Sequence, residues 1–239
     1  MCRIALLIQV LLSTNFLQAQ EGKLTITHLT GDFYVYTTWK NISGAPYPSN
    51  SLYVVTTKGI VMIDTPWDST QFKPLLDSME ARHHQKPVLC IATHFHDDRT
   101  AGLSFLQQNG VATWSSVYTK ALCAKQHNPQ AAFTFTKDTT FTIGNHRFNT
   151  FYPGEGHSKD NILIWFGKEK VLYGGCFVKS TENTGLGNVA DANVAAWPAS
   201  VQKSLQQFGN AKFVIPGHMS WASNQGLQHT LKLLKQAKP

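Results

Sequence analysis

Two histidines and one aspartate alternate along the chain at His94, His96 and Asp98. Imidazole nitrogens and carboxylate oxygens are ligands that proteins use to bind zinc and other divalent metals. Alternate residues of an extended segment point to the same side, which would let His94 and His96 bind one metal ion. Taken alone, the same spacing also fits a polar loop with two ordinary histidines, so the rest of the chain has to distinguish the two interpretations.

The residues on either side of this segment indicate a strand followed by a helix. The apolar run Pro87–Ala92 is short and bounded by proline, which predicts a buried strand. The residues Thr100–Gln108 have helical apolar spacing and end at Asn109-Gly110, a helix-stop signal. The three candidate ligands are therefore expected on the loop between the two elements, where α/β folds commonly build their sites.

Three further residues with ligand chemistry lie where other predicted strands meet loops. They are His157, Cys176 and His218, and each directly follows a glycine, which lets the backbone approach closely. A thiolate favours zinc over magnesium or calcium. Six candidate ligands exceed the four of a tetrahedral zinc, so we expect two zinc ions that share a bridging hydroxide, each with three protein ligands. The remaining histidines lack this context and are expected to be surface or core residues.

Composition places the chain among ordinary globular proteins. Its 239 residues are enough for one large domain or two closely packed halves, and 42% of them are hydrophobic. The formal net charge of +7 could indicate an acidic partner such as nucleic acid. However, the lysines are scattered singly and are not interleaved with aromatic residues. We therefore predict a mildly basic surface and no nucleic-acid partner.

The first 20 residues have the pattern of a secretory signal peptide. Arg3 supplies a positive charge, Ile4–Leu12 is a short apolar core, and the small residue Ala19 lies near a plausible cleavage site. The apolar core is too short to span a membrane, and a buried N-terminal helix is the alternative. We expect residues 21–239 to be a single exported domain, periplasmic and without stable membrane association. Cys90, Cys123 and Cys176 remain after cleavage, and their odd number argues against a disulfide framework.

The order of predicted elements indicates two α/β halves. β-rich segments fill Lys23–Asp64, with a tight hairpin at Lys58-Gly59, and helices alternate with strands from there onward. No repeat or linker separates independent domains. The Pro- and Gly-containing segment Trp39–Pro48 could be a flap over a pocket or a plain long hairpin connection.

Five segments resemble, in order, spacing and flanking residues, the dizinc metallo-β-lactamases of class B, subclass B1. They are His94–Arg99, Gly156–Asn161, Gly174–Lys179, Gly185–Ala192 and Pro216–His218. In the wider metallo-hydrolase superfamily the first motif usually continues Asp-His and the later bridging ligand is aspartate. Here Arg99 and Cys176 take those places, as in that lactamase subclass. The resemblance implies an α/β fold, a four-layered αβ/βα sandwich with zinc in the groove between its halves.

The resemblance also implies how the six ligands divide. The first zinc would be bound by His94, His96 and His157. The second would be bound by Asp98, Cys176 and His218.

Three more residues match positions that contact the substrate in this family. Lys179 matches the lysine that pairs with the substrate carboxylate, and an exposed loop lysine is the alternative. Asn188 matches the residue that helps to polarise the lactam carbonyl, and a turn-forming asparagine beside Gly187 is the alternative. Trp67 matches the apolar wall of the site. The chain departs from many relatives at Ser51, where they have glycine, and this departure bears on the flap.

The implied activity is zinc-dependent hydrolysis of the β-lactam amide bond of penicillins, cephalosporins and carbapenems, which confers antibiotic resistance. Asp98 would orient the attacking hydroxide and Asn188 would help to stabilise the oxyanion. The expected partner is a small-molecule β-lactam, and a monomer is expected. The alternatives are another hydrolase on this scaffold, such as a glutathione thioesterase, and a zinc-binding protein without catalysis.

Overall fold

The computed structural model of the chain describes residues 23–237, so the predicted signal peptide at residues 1–20 lies outside the described residues. A seven-stranded sheet forms the first half, with its strands side by side in chain order. The first four strands pair antiparallel and the last three continue the sheet in parallel. These strands are β1 (Thr25–Thr30), β2 (Phe33–Ile42), β3 (Ala45–Thr56), β4 (Gly59–Ile63), β5 (Pro87–Ile91), β6 (Ala112–Ser116) and β7 (Phe133–Phe135).

Helices connect the parallel strands of this sheet, as parallel pairing requires. They are α1 (Phe72–His83), α2 (Asp97–Thr100), α3 (Leu103–Gln108) and α4 (Val117–Lys125). A five-stranded sheet forms the second half in the order β12-β11-β10-β9-β8, antiparallel except for its last pair along the chain. Its elements are β8 (Thr140–Ile143), β9 (His146–Phe151), β10 (Leu163–Phe166), β11 (Val171–Gly175), α5 (Trp197–Phe208), β12 (Phe213–Pro216) and α6 (Gly226–Gln236).

The two sheets pack face to face with helices on both outer faces. Side chains of the two sheets, among them Val54 and Ile164, form the central apolar core. A second core, which includes Met62 and Met79, lies between the first sheet and α1. A third, which includes Leu172 and Trp197, lies between the second sheet and α5. The layers therefore run helix, sheet, sheet, helix, which confirms the predicted αβ/βα sandwich.

Two predicted loops differ in the structure. The segment Trp39–Pro48 is not a loop, because β2 and β3 stay paired through it and turn only at Ser43-Gly44, where both residues have positive φ. The motif segment is also not wholly a loop, since Asp98 lies on the first turn of the short helix α2. Ser51 is buried in β3 opposite Tyr36, at the base of the hairpin rather than at its tip.

No helix among residues 23–237 is both long and apolar enough to cross a lipid bilayer.

Candidate metal centre

All six predicted ligands lie at one edge of the sandwich, beyond the ends of strands from both sheets. His94 and His96 follow β5, Cys176 directly follows β11, and His218 follows β12 by two residues. His157 comes from the long connection between β9 and β10. Because β5, β11 and β12 all end at this edge, residues far apart in the sequence converge there.

The first three ligands form a compact triad of ring nitrogens. His94 Nε2 lies 3.2 Å from His96 Nδ1, which lies 3.1 Å from His157 Nε2. Burial, together with neighbouring positive charge, holds the pKa of His94 and of His157 well below the usual range, so both rings are neutral. A neutral imidazole carries one N–H, so hydrogen bonds between these rings cannot satisfy all three of the nitrogens that converge here. A tetrahedral zinc with bonds of about 2.0–2.1 Å would space its ligand nitrogens by about 3.3 Å, so this set fits the metal.

The other three ligands form a second triad. Asp98 Oδ2 lies 3.3 Å from Cys176 Sγ and 3.2 Å from His218 Nε2, and the last two atoms are 3.2 Å apart. His218 Nδ1–H donates to the carbonyl of Pro48 at 2.7 Å, which directs Nε2 toward the triad. A carboxylate, a thiol and an imidazole in one place make a donor set that suits zinc.

The two triads adjoin each other. The ligand atoms of His94, His157 and Cys176 lie within 4.8 Å of one another, and so do those of His94, His96 and Asp98. Among residues 23–237, every group of three that could hold a metal draws on the six predicted ligands alone.

The outer nitrogen of His96 is held by a residue from a distant loop. His96 Nε2–H donates to Asp191 Oδ2 at 3.0 Å, which directs Nδ1 toward the first triad. Such a carboxylate partner fixes the tautomer and orientation of a ligand imidazole.

Replacing Asp191 by alanine is therefore expected to weaken zinc binding by about tenfold, the lower end of the range for such partners because its carboxylate is partly exposed. A competition titration with a chromophoric chelator measures the affinity. Asp77→Ala is the matched control, because among residues 23–237 this exposed carboxylate on α1 pairs with Lys73 alone. Equal zinc affinity in the Asp191 variant and the wild type would contradict the assigned role.

Arg99 is fully buried beneath the second triad and connects it to the core. Its Nη2 lies 2.8 Å from Asp98 Oδ2 and donates to Cys176 Sγ at 3.1 Å. Its Nη1 donates to the hydroxyl of Tyr173 at 2.9 Å and lies 3.6 Å from Asp64 Oδ2. Burial opposes ionisation of Asp98, but the Arg99 guanidinium and His218 hold the pKa of that carboxyl well below its usual range. Arg99 therefore stabilises the negative charge of the second triad.

Asp64, the residue directly after β4, supports the same region. Its two oxygens accept bonds from the backbone N–H of Thr93 at 2.7 Å and the Thr93 hydroxyl at 2.8 Å, directly before His94. Burial raises the pKa of Asp64 to about 6, against the opposing effect of Arg99. The sequence indicated only that Asp64 ends a strand near His94, and its φ of 64° in the left-handed region could not be predicted.

Asn50 is a supporting residue that the sequence analysis missed. Its backbone N–H donates to Gly217 O at 2.8 Å, and its side-chain amide donates to Pro216 O at 3.1 Å and to Met219 O at 2.7 Å. Together with the bond from His218 to Pro48, these contacts fix the loop of the last predicted ligand against β3. No local sequence pattern predicts that Asn50 bonds to Pro216, because the two residues are more than 160 positions apart in the chain.

A groove of about 480 Å³ opens over the triads and contains the predicted substrate residues Trp67, Lys179 and Asn188. Lys179 is only 8% exposed, so the alternative of an exposed loop lysine is wrong. Its ammonium lies 5.3 Å from the centre of the Trp197 ring, and burial lowers its pKa. Asn188 Oδ1 accepts a hydrogen bond from the N–H of Ala190 at 3.0 Å, which matches the turn-forming alternative. This bond uses only the oxygen of the side-chain amide, so the N–H groups of Asn188 can still donate to a bound molecule.

The hairpin of β2 and β3 forms one wall of this groove through Tyr47, another residue that the sequence analysis did not single out. The Tyr47 ring lies 5.1 Å from that of His218 and 6.4 Å from that of Trp67. Lys40 of the same hairpin pairs with Asp97 at 2.8 Å, between two predicted ligands. The segment expected to be either a flap over a pocket or a long hairpin connection is therefore a fully paired hairpin, which lines the groove and is bonded to the loop that carries the predicted ligands.

Comparisons with known proteins agree with this geometry. The family model of the metallo-beta-lactamase superfamily matches residues 44–218. The chain is 38% identical over 222 residues to a metallo-beta-lactamase type 2 from Elizabethkingia meningoseptica, covering 93% of this chain and 89% of that protein. A metallo-beta-lactamase type 2 from Bacillus cereus is 37% identical over 216 residues, 90% of this chain and 84% of that protein.

Solved structures give the same result. The structure of a metallo-beta-lactamase from Pontibacter korlensis superimposes with a TM-score of 0.87 at 36% identity, covering 90% of this chain and all of that one. The predictions of a metallo-β-lactamase fold and of a metal-dependent hydrolase are thereby confirmed. The chain belongs to the metallo-beta-lactamase superfamily.

Proposed function

We propose that the protein is a zinc β-lactamase of subclass B1, which binds two zinc ions and hydrolyses the amide bond of penicillins, cephalosporins and carbapenems. The observation that carries the proposal is the pair of adjoining triads, one of three imidazoles and one of carboxylate, thiol and imidazole. The first zinc would be held by His94, His96 and His157, and the second by Asp98, Cys176 and His218. The names of the similar proteins support this activity.

The bound metals would supply a Lewis acid for the lactam carbonyl and a water acidic enough to act as a nucleophile at neutral pH. The chain's own groups position the reactants. Asp98, ionised beside Arg99, can accept a hydrogen bond from the attacking water and orient it. The amide N–H groups of Asn188 can donate to the lactam carbonyl as negative charge develops on its oxygen. Trp67 and Tyr47 form an apolar wall that excludes water from one side of the groove.

Lys179 is the group that selects substrates by charge. It lines the groove, and the described residues offer its ammonium an aromatic ring but no carboxylate partner. Penicillins, cephalosporins and carbapenems all carry a carboxylate beside the reacting ring, which can take this place. An ammonium–carboxylate hydrogen bond in a sheltered site contributes about 1.5–3 kcal/mol.

Replacing Lys179 by alanine should therefore raise KM for carboxylate-bearing substrates by about tenfold or more, while kcat falls less. Steady-state kinetics with a chromogenic cephalosporin measure both constants. Lys168→Ala removes an exposed lysine from the turn between β10 and β11 and serves as the control. An unchanged KM in the Lys179 variant would show that this side chain only packs on Trp197.

The activity itself is tested with the purified protein and one member of each drug class at defined zinc concentration. We expect hydrolysis that stops when a chelator removes the metal and returns when zinc is added, with two zinc ions per chain by elemental analysis. Hydrolysis of a glutathione thioester without lactam turnover would instead indicate the other hydrolase. Zinc binding without turnover of either substrate would indicate a non-catalytic protein.

We also propose that residues 1–20 direct export to the periplasm and that residues 21–239 form a single, monomeric domain. The proposal rests on the charged start and the apolar core of the N-terminal segment. Fractionation of expressing cells and N-terminal sequencing of the periplasmic protein test it. Retention of the uncleaved chain in the cytoplasm would contradict it.

A further inference from the structure

The edge of the sandwich opposite the metal centre carries a group of basic residues. β5, β11 and β12 all begin at this edge and end at the other, where His94, Cys176 and His218 follow them. The basic residues lie in the turns at this edge or within two positions of them, and all except the partly buried Lys170 are exposed. We call this surface the basic edge, and its cations are Lys58, Lys86, Arg147, Lys168, Lys170 and Lys212.

The turns of the two sheets meet at the basic edge and make it one continuous surface. Thr57, in the turn between β3 and β4, donates its backbone N–H to Asn145 Oδ1, in the turn between β8 and β9, at 3.0 Å. Within the second sheet, the backbone N–H of Lys212 donates to Lys170 O at 2.9 Å. Lysines that are scattered singly in the sequence are therefore brought together by the fold.

Few carboxylates offset the charge of the basic edge. Glu80 lies 3.5 Å from Lys86 Nζ. Asp32 and Glu169 face the buried ring of His146, at 2.9 and 3.5 Å from its nitrogens. Among residues 23–237, no carboxylate oxygen lies within 4.0 Å of the nitrogens of the other five cations, Lys58, Arg147, Lys168, Lys170 and Lys212. Positive charge is therefore in excess at this edge and available to an external partner.

We propose that the basic edge binds the surface of an anionic phospholipid bilayer, peripherally and reversibly, with the metal groove facing away from the lipid. Each Lys or Arg within a Debye length of such a surface, about 8 Å at physiological salt, adds to the attraction. The cations are spread over the turns of both sheets, which suits a broad charged plane. Single-stranded nucleic acid is instead bound along a groove with aromatic platforms.

The orientation follows from the strands that connect the two edges. The candidate metal ligands lie beyond the far ends of the strands that begin at the basic edge, so a docked molecule keeps its groove open to solvent. The contact needs neither a membrane-spanning nor a lipid-anchored segment and is released by salt. It is therefore compatible with the expected lack of stable membrane association.

Co-sedimentation with large unilamellar vesicles tests the proposal with the purified, zinc-loaded protein. Vesicles of phosphatidylcholine alone are compared with vesicles that also contain phosphatidylglycerol. Any binding by the apolar segment Ile4–Leu12 is common to both vesicle types and cancels in the comparison. We expect at least about tenfold tighter binding to the anionic vesicles, lost in about 1 M salt, where the Debye length is about 3 Å. Equal binding to both vesicle types would overturn the proposal.

A triple variant tests the assigned surface. Lys58→Gln, Lys168→Gln and Lys212→Gln together remove three exposed charges of the basic edge, one from each of three separate turns. This variant should bind the anionic vesicles about tenfold or more weakly than the wild type. A circular dichroism spectrum equal to that of the wild type shows that the variant is folded.

The control is a second triple variant, Lys73→Gln, Lys137→Gln and Lys203→Gln. It removes the same net charge from exposed lysines outside the basic edge, at the start of α1, after β7 and on α5. Its binding to the anionic vesicles should fall by less than about threefold. Equal weakening by the two triple variants would mean that only net charge matters and would overturn the assignment.

Hydrogen exchange of the vesicle-bound protein identifies the face in contact. Amides of residues 57–58, 144–147, 167–170 and 211–212 should exchange more slowly than in the free protein, whereas those of residues 41–47 in the hairpin should be unchanged. Protection of the hairpin instead would overturn the proposed orientation. Binding to duplex DNA without binding to anionic vesicles would assign the basic edge to nucleic acid and overturn the proposal.

Discussion

Replacing Cys176 by serine is expected to empty the second metal position and to lower kcat/KM by about a hundredfold or more. The sulfur lies within 3.3 Å of Asp98 Oδ2 and 3.2 Å of His218 Nε2, so the variant loses one of three ligands that meet there. A serine hydroxyl stays protonated at neutral pH and is a much poorer ligand for zinc than a thiolate. Elemental analysis of zinc per chain, together with steady-state kinetics, measures the effect.

Cys123→Ser is the matched control for this variant. Cys123 is also a buried free thiol, but its sulfur lies 3.8 Å from the carbonyl of Phe95 and joins neither triad. This change should leave zinc content and turnover near the wild-type values and affect only stability. If the Cys176 variant kept two zinc ions and full turnover, Cys176 could not be a ligand and the proposed second site would fail.

Replacing Arg99 by methionine is expected to lower the free energy of unfolding by about 3–5 kcal/mol, the usual effect of removing one partner from a buried charge network. The variant leaves the charge of Asp98 without its 2.8 Å partner and removes the N–H donors to Cys176, to Asn50 O and to Gly217 O. Denaturant unfolding with chelator present measures the protein's own stability, apart from any contribution of bound zinc.

Arg82→Met is the control, because Arg82 is exposed on α1 and its loss should change the unfolding free energy by no more than about 0.5 kcal/mol. The Arg99 variant should also bind less zinc when the chelator is absent, since the second triad loses its support. A change in stability as small as that of the control would mean that the buried guanidinium is dispensable.

The sequence was sufficient to locate the ligand types and the strands that present them. A buried strand and the polar residue that follows it form a local signal in the sequence. This signal is present at Pro87–His94, where the strand leads to histidine, and at Val171–Cys176, where it leads to glycine and cysteine. The four-layered architecture came from the family resemblance rather than from periodicity. The helix after the motif was predicted in one piece, whereas the structure has α2 and α3 with a break at Ala101-Gly102.

The supporting contacts could not be predicted because their partners are remote in the sequence. Arg99 was noticed only as a departure from the superfamily motif, and its partners Asn50, Tyr173 and Gly217 lie 49 to 118 residues away. The length of the hairpin was missed for a related reason. Prolines at positions 46 and 48 suggested a loop, but cross-strand pairing with Asn41 and Trp39 keeps both in a two-stranded ribbon.

The hydrogen bonds between β3 and the loop of His218 divide the hairpin of β2 and β3 into two parts that tolerate sequence changes differently. Pro48 and Asn50 hold the loop of His218, so a one-residue shift in their pairing would turn these groups away from their partners. Residues 41–46 beyond them are exposed and make no such bonds. Insertions or substitutions at the tip can therefore accumulate during evolution and reshape the groove, while the six candidate metal ligands remain in place.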